Sequence, residues 1–353
     1  MTRGPTRGPT RVTWRRHRTT HRGHAMKKIE LTLACGDYEI VRPLKEGIVK
    51  PDGIDLIVLT GMDSTTRHWR FLRNGDFDMS ETSASSYVVA RDYGYPITAL
   101  PVFLHRRFRH GFVYVNTSKG IETPKDLIGR KVGIKSFLVT AGHWMRGILE
   151  HEYGVPHKSI DWYAELDEDV DFEPPADLKL TRLPDDKSVE RMLAEGELDA
   201  VIHSSLIKPI LEKDPRVARL FPDYKAEEQK YFAKTGIFPI MHVLGLRNEV
   251  VEKYPWVPVN MFNAFQEAKK IAMKRMENPR IVPLAWYREA WEEQEAILGP
   301  DPWEYGLTER NRHTLETLAG YSHEQGLIRR PARLDELFVD VSQGRKRGDE
   351  FRI

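Results

Sequence analysis

The segment FLHRRFRHGFVYVN, Phe103 to Asn116, sets His105, Arg106, Arg107, Arg109 and His110 against an apolar run rich in aromatic and β-branched residues. In an extended backbone successive side chains alternate, so Arg106, Phe108 and His110 share one face and His105, Arg107 and Arg109 the other. The first face offers a guanidinium that can grip a carboxylate with two prongs, a ring that can stack, and an imidazole that can give a proton near neutral pH. A planar aromatic acid needs all three. A basic edge strand, charged to discourage edge-to-edge pairing, would explain the cations but not the histidines and the phenylalanine.

Further candidates lie downstream. Ser136 and Thr140 flank the start of FLVTAGHWMRGILEHEYG, where hydroxyls and the first N–H groups of a helix either cap it or hold an anion. Trp144 packs in that helix and can also wall a ligand. His203 and Ser204 end the run DAVIHSS, and His242 sits in FPIMHVLGL; a histidine among apolar residues is as readily a core residue as a proton donor. The candidate acids are therefore His110, His242 and His203. The candidate substrate contacts are Arg106, Arg109, Phe108, Ser136, Thr140, Trp144, Ser204, Arg67 and Ser83. No HxH, HExxH or CxxC spacing points to a metal, and neither GxGxxG nor GxxxxGKS to a nucleotide, so no metal and no cofactor is expected.

The chain that must position these residues has 353 of them, enough for two domains of roughly 100 to 200 residues each. At 40% hydrophobic and 10% aromatic it reads as globular, with no apolar run of membrane-spanning length. The formal charge of +2 is uneven, because residues 1–25 hold seven arginines and no acid, which leaves −5 for the remainder. A mildly acidic body makes the basic cluster local and argues against a nucleic-acid surface. The TRGP repeats of residues 1–25 lack an apolar core for export, so this stretch is expected to be a disordered leader or to precede a true start at Met26. The lone Cys35 suits the cytoplasm and reads as a small buried thiol. Self-association into a homo-oligomer is left open.

Alternating elements follow from the pattern. KIELTLAC, GIDLIVLT, FDMSE, ITALPVFL and GFVYVN read as strands, with STTRHWRFLRNG and SASSYVVARDYG as helices between them. TPKDLIGRKVGIKS opens a second unit, DEDVDFEPPAD reads as an acidic surface loop, and FPIMHVLGLRNEV returns to the first unit before a mostly helical C-terminal stretch. The expected division is residues 26–117 with 233–353 as one discontinuous domain and 118–232 as the other. Two crossings between them make a hinged cleft, and ligands in open α/β sheets collect at the strand ends.

The order DLIGRKVGI early and LAEGELDAVI late in the second unit resembles the type II periplasmic-binding-protein fold. Within it PVFLHRRFRHGFVYVN, VTAGHWMRGIL and YPWVPVNMFNAFQEAK are similar to motifs of the 4,5-dihydroxyphthalate decarboxylase family, with departures at Leu104 and His105. The resemblance runs from Met26 to about Leu327. It implies a two-domain α/β fold and cofactor-independent removal of carbon dioxide from a hydroxylated aromatic dicarboxylate, by protonation of the carbon that bears the carboxylate. Arg106 and Arg109 would clamp the retained carboxylate, and a histidine, His110 first, would be the acid. The competing readings are a solute-binding protein, disfavoured by the missing export signal, and another cofactor-free lyase of the same fold, such as chorismate dehydratase.

Overall fold

The computed structural model describes residues 28–342, so the leader and the start at Met26 lie outside the described residues. The strands are β1 (Ile29–Ala34), β2 (Ile54–Leu59), β3 (Met79–Ser83), β4 (Ile97–Leu100), β5 (Val113–Asn116), β6 (Lys131–Ile134), β7 (Asp161–Ala164), β8 (Leu180–Arg182), β9 (Ala200–Ile202), β10 (Val217–Arg219) and β11 (His242–Arg247). They form two sheets, ordered β2-β1-β3-β11-β4 and β10-β5-β9-β6-β7-β8. In the first, β1 runs parallel to β2 and β3, while β11 is antiparallel to β3 and β4. In the second, β9, β6, β7 and β8 are parallel and β5 is antiparallel to its neighbours. The sequence placed GFVYVN with the first unit, but its strand β5 pairs with β9 and β10 in the second sheet.

Parallel strands covered on both faces by helices are expected to be apolar throughout, and β9 (AVI) is. β3 is equally buried yet reads MSETS, so a carboxylate and three hydroxyls sit inside the first sheet. Such polar groups persist in an interior only with partners.

Two crossings join the sheets and lie side by side. Arg107 donates its N–H to Pro239 O at 3.1 Å, Met241 donates to His105 O at 2.9 Å, and Arg106 bridges Ile240 in antiparallel sense. The helix Glu309–Glu324, capped by Thr308 accepting from the Asn311 N–H, then packs across helices of both units, Ala84–Asp92 and Thr140–Tyr153. Close approach to the latter depends on Gly147, where a Cβ would fall 2.1 Å from the Tyr321 ring. Even alanine there would force the helices apart.

The acidic stretch after β7 is more than a surface loop. Val170 is fully buried, and the backbone N–H groups of Asp171 and Glu173 donate to the Tyr95 and Tyr93 hydroxyls. Arg73 of the first unit donates to Glu168 O at 2.8 Å and pairs with Asp171. The loop thereby straps the second unit to the first.

Candidate functional site

The residues that follow β1, the middle of β3 and the start of β11 meet at Glu81, whose side chain is wholly buried. One carboxylate oxygen accepts the Gly36 N–H and Arg67 Nη2, both at 2.8 Å; the other accepts the Tyr38 hydroxyl at 2.8 Å and His242 Nδ1 at 2.6 Å. Burial by itself would raise the Glu81 carboxyl, but His242, Arg67 and the Gly36 N–H outweigh it and hold the group well below its usual range. Glu81 is therefore an anion with four donors.

His242 keeps a little exposure, 12% of its side chain. Its Nδ1 is committed to Glu81, which fixes ring orientation and tautomer and leaves Nε2 as the nitrogen for proton exchange. Two further imidazoles meet it edge-on, His68 at 4.8 Å and His105 at 4.7 Å between ring centres. Burial, reinforced by the charge of His242, pushes both well below the ordinary histidine value, so both are neutral at pH 7. Arg67, a sequence candidate, thus lies in this cluster as the partner of Glu81. Cys35, next to the same carboxylate, has its thiol pushed up by burial and stays protonated.

The alternation along residues 105–110 holds, but the cleft faces the other set. His105 looks toward His242, and Arg109 toward Met241 Sδ and Ser204 O, to which it donates at 2.9 Å. Arg106 points away. It donates to Asn311 Oδ1 at 2.5 Å and to Glu304 O at 3.0 Å, anchoring the C-terminal segment, and its expected part in substrate binding is corrected accordingly. Phe108 packs on Phe238 at 4.8 Å, a second correction. His110 is fully buried among Tyr153, Phe221 and Tyr231, and burial lowers it to about 4. That environment removes it from the candidate acids.

Across the cleft, His203 and Ser204 follow β9. His203 Nδ1 lies 3.1 Å from the Ser205 N–H, while Nε2 is buried without a hydrogen-bond partner. Ser83, at the end of β3, hydrogen-bonds Thr140 at 2.7 Å, so the two hydroxyls tie the units together. The Trp144 indole donates to Ile240 O on the return crossing at 2.9 Å and is completely buried, which makes it a latch rather than a ligand wall. The anion seat expected at Ser136 is taken internally, because the Glu168 carboxylate accepts the Phe137 and Leu138 N–H groups. Burial raises Glu168 to about 7. The helix starts at Thr140 with no side-chain cap.

Glu81, Tyr38 and His68 escaped the sequence reading, and His105, noted in the basic run, was not among its site candidates. A charged residue in the middle of a five-residue strand, MSETS, was the available signal for Glu81. Among the described residues no group of three or more His, Cys, Asp or Glu is arranged to hold a metal ion.

Residues 45–159 match the family model described as NMT1/THI5 like. Among solved structures, the Escherichia coli periplasmic aliphatic sulphonate binding protein SsuA aligns over 92% of this chain and 96% of its own, with TM-score 0.52 at 14% identity. The desulfurization enzyme DSZB aligns over 88% and 96%, with TM-score 0.51 at 17% identity. These likenesses establish the periplasmic-binding-protein-like fold. In sequence, 4,5-dihydroxyphthalate decarboxylase of Pseudomonas putida is 36% identical over 56% of this chain and 79% of its own length. The Comamonas testosteroni protein of the same name is 34% identical over 90% of this chain and 98% of its length. The chain belongs to the 4,5-dihydroxyphthalate decarboxylase family.

Proposed function

We propose that this protein is a carboxy-lyase that converts 4,5-dihydroxyphthalate or a closely similar dihydroxylated phthalate to protocatechuate, with His242 as the acid. The observation that carries the assignment is the buried Glu81 carboxylate on His242 Nδ1, itself neutralised by Arg67. A receptor that only closes on its ligand has no need of such a pair.

In the substrate each carboxylate stands para to a hydroxyl. The His242 Nε2 proton goes to the ring carbon bearing one carboxylate, and the new C–H bond takes its electrons from the ring. The para oxygen delocalises the resulting charge. The C–C bond to the carboxylate then breaks, its electrons restore aromaticity, and carbon dioxide departs. Net, one proton replaces one carboxylate. A positioned general acid contributes roughly 10² to 10⁴ in rate. Arg109 suits the retained carboxylate: burial and the neighbouring Arg107 lower it to about 9, and no carboxylate pairs with it among the described residues. Its fork can exchange a weak sulfur contact for a charged one.

The test is incubation of purified protein with 4,5-dihydroxyphthalate in deuterated water, followed by mass spectrometry. Protocatechuate carrying one ring deuterium is expected. Intact substrate after prolonged incubation would exclude the reaction.

A further inference from the structure

The carboxyl edge of the second sheet carries a charged row that the acid chemistry does not use. Ile134 of β6 is paired with Ala164 of β7, and Gly133 with Val201 of β9. Extending that register by one step from Ile134–Ala164 and by two from Gly133–Val201 places Lys135, Glu165 and His203 side by side, each the first residue beyond its strand. Lys135 Nζ lies 2.6 Å from Glu165 Oε1, with side-chain exposures of 30% and 13%. Glu165 Oε2 is held by the Val189 N–H at 3.0 Å, which fixes the carboxylate. His203 offers a buried Nε2 that has no hydrogen-bond partner and lies 3.9 Å from Glu190.

A lysine and glutamate at a parallel sheet's carboxyl edge could form an ordinary surface pair. The unpartnered imidazole nitrogen beside them argues otherwise, because a buried ring nitrogen without a partner carries a desolvation cost that a ligand can remove. The row is also on the correct wall. Resting on the reading above, in which the acid stands on the first unit, the two ring hydroxyls occupy the edge of the substrate opposite the departing carboxylate and meet the second unit.

We infer that Lys135, Glu165 and His203 form the subsite that reads the vicinal hydroxyls of the ring. Lys135 Nζ donates to one phenolic oxygen, Glu165 accepts a phenolic proton, and His203 Nε2 takes the neighbouring hydroxyl as partner. The subsite also shares in the reaction. As His242 protonates the ring carbon, the para O–H proton passes to the Glu165 carboxylate and the oxygen becomes a carbonyl. When the C–C bond breaks, its electrons return to the ring and the oxygen recovers its proton from Glu165. Lys135 donates a hydrogen bond to that carbonyl oxygen between the two transfers.

The inference is tested by titration calorimetry of the whole protein with two ligands that are not turned over: phthalate, which lacks hydroxyls, and protocatechuate, which has both. In Lys135→Met and in Glu165→Gln, protocatechuate binding should weaken about tenfold or more while phthalate binding stays within about threefold, as for loss of a hydrogen bond to a charged group. Lys135→Met frees no backbone group, so it remains informative if Glu165→Gln disturbs the Val189 contact. Equal weakening of both ligands, or of neither, would overturn the subsite, as would a wild-type protein that binds neither. Carbon dioxide release by the wild type is read separately; its absence with the ligand preference intact would remove the proposed reaction and leave the hydroxyl subsite standing.

Discussion

Arg67 and Arg106 are two arginines with nearly the same burial, 2% and 3% exposed, and opposite roles. Arg67 meets a carboxylate that also holds an imidazole. Arg106 meets an amide oxygen and two backbone carbonyls, and burial lowers it to about 10. Neutral acceptors hold the two terminal nitrogens of this guanidinium and leave nothing to titrate. A carboxylate shared with a histidine leaves a proton that can move. The difference separates structural charge from chemical charge better than position along the hinge does.

The comparison breaks most visibly at His242. His242→Asn should lower kcat by roughly 10² to 10⁴ while leaving the melting temperature nearly unchanged. Carbon dioxide release and thermal melts read both; full turnover would move the acid elsewhere.

Glu81→Gln should hurt both activity and fold. Loss of the ring's partner should reduce kcat roughly a hundredfold. The buried Arg67 left without its carboxylate should cost about 3 kcal/mol of stability, measured by urea unfolding. Because the native carboxyl is held below the ordinary 4.5, its stabilisation is complete above that pH and is lost as pH falls toward the native value. The variant should therefore show a shallower loss of stability on acidification. An acid limb identical to wild type would mean that Glu81 is not the anion described.

Arg106→Met sharpens the contrast from the other side. It strands Asn311 Oδ1, while the Glu304 carbonyl keeps Asn311 Nδ2 as a donor, so stability should fall by roughly 1 to 3 kcal/mol. KM should stay within about threefold of wild type. A large rise in KM would return this guanidinium to the cleft.

The smallest effect is expected at His110→Leu, with kcat/KM within about threefold of wild type. Its native value of about 4 lies below the ordinary 6.5, so protonation favours the unfolded chain and stability falls as pH drops below 6.5. Removing the imidazole should relieve that part of the acid sensitivity, as melts across this range would show.

Much of the fold was legible because its signals are local. Apolar runs bounded by turn residues gave KIELTLAC, GIDLIVLT and the return at His242, and each is a strand. The two-residue period also identified which of residues 105–110 share a face. It could not say which face meets the cleft, since that depends on the helix at 309–324 and on Phe238, far along the chain, covering Arg106 and Phe108. Glu81 was hidden for a related reason: its four partners come from separate segments, and only the closed sheet brings Gly36, Tyr38, Arg67 and His242 to one carboxylate. Ser136 failed because a glutamate from a distant loop answered the same N–H groups first.

The strand order of the first sheet bears on how the chain is made. β3 and β4 are close in sequence but never pair; β11 lies between them, antiparallel to both. During synthesis the facing edges of β3 and β4 must wait, open, until the entire second sheet has emerged and β11 follows it. Unpaired edges of that kind invite contact with other nascent chains. The second sheet, whose strands β5 to β10 are contiguous, can form while the ribosome is still working, and its completion brings the return crossing back to the gap. His242, the first residue of β11, thus joins Glu81 in the step that closes the first sheet, so the contact between imidazole and carboxylate forms only after the second sheet has been made.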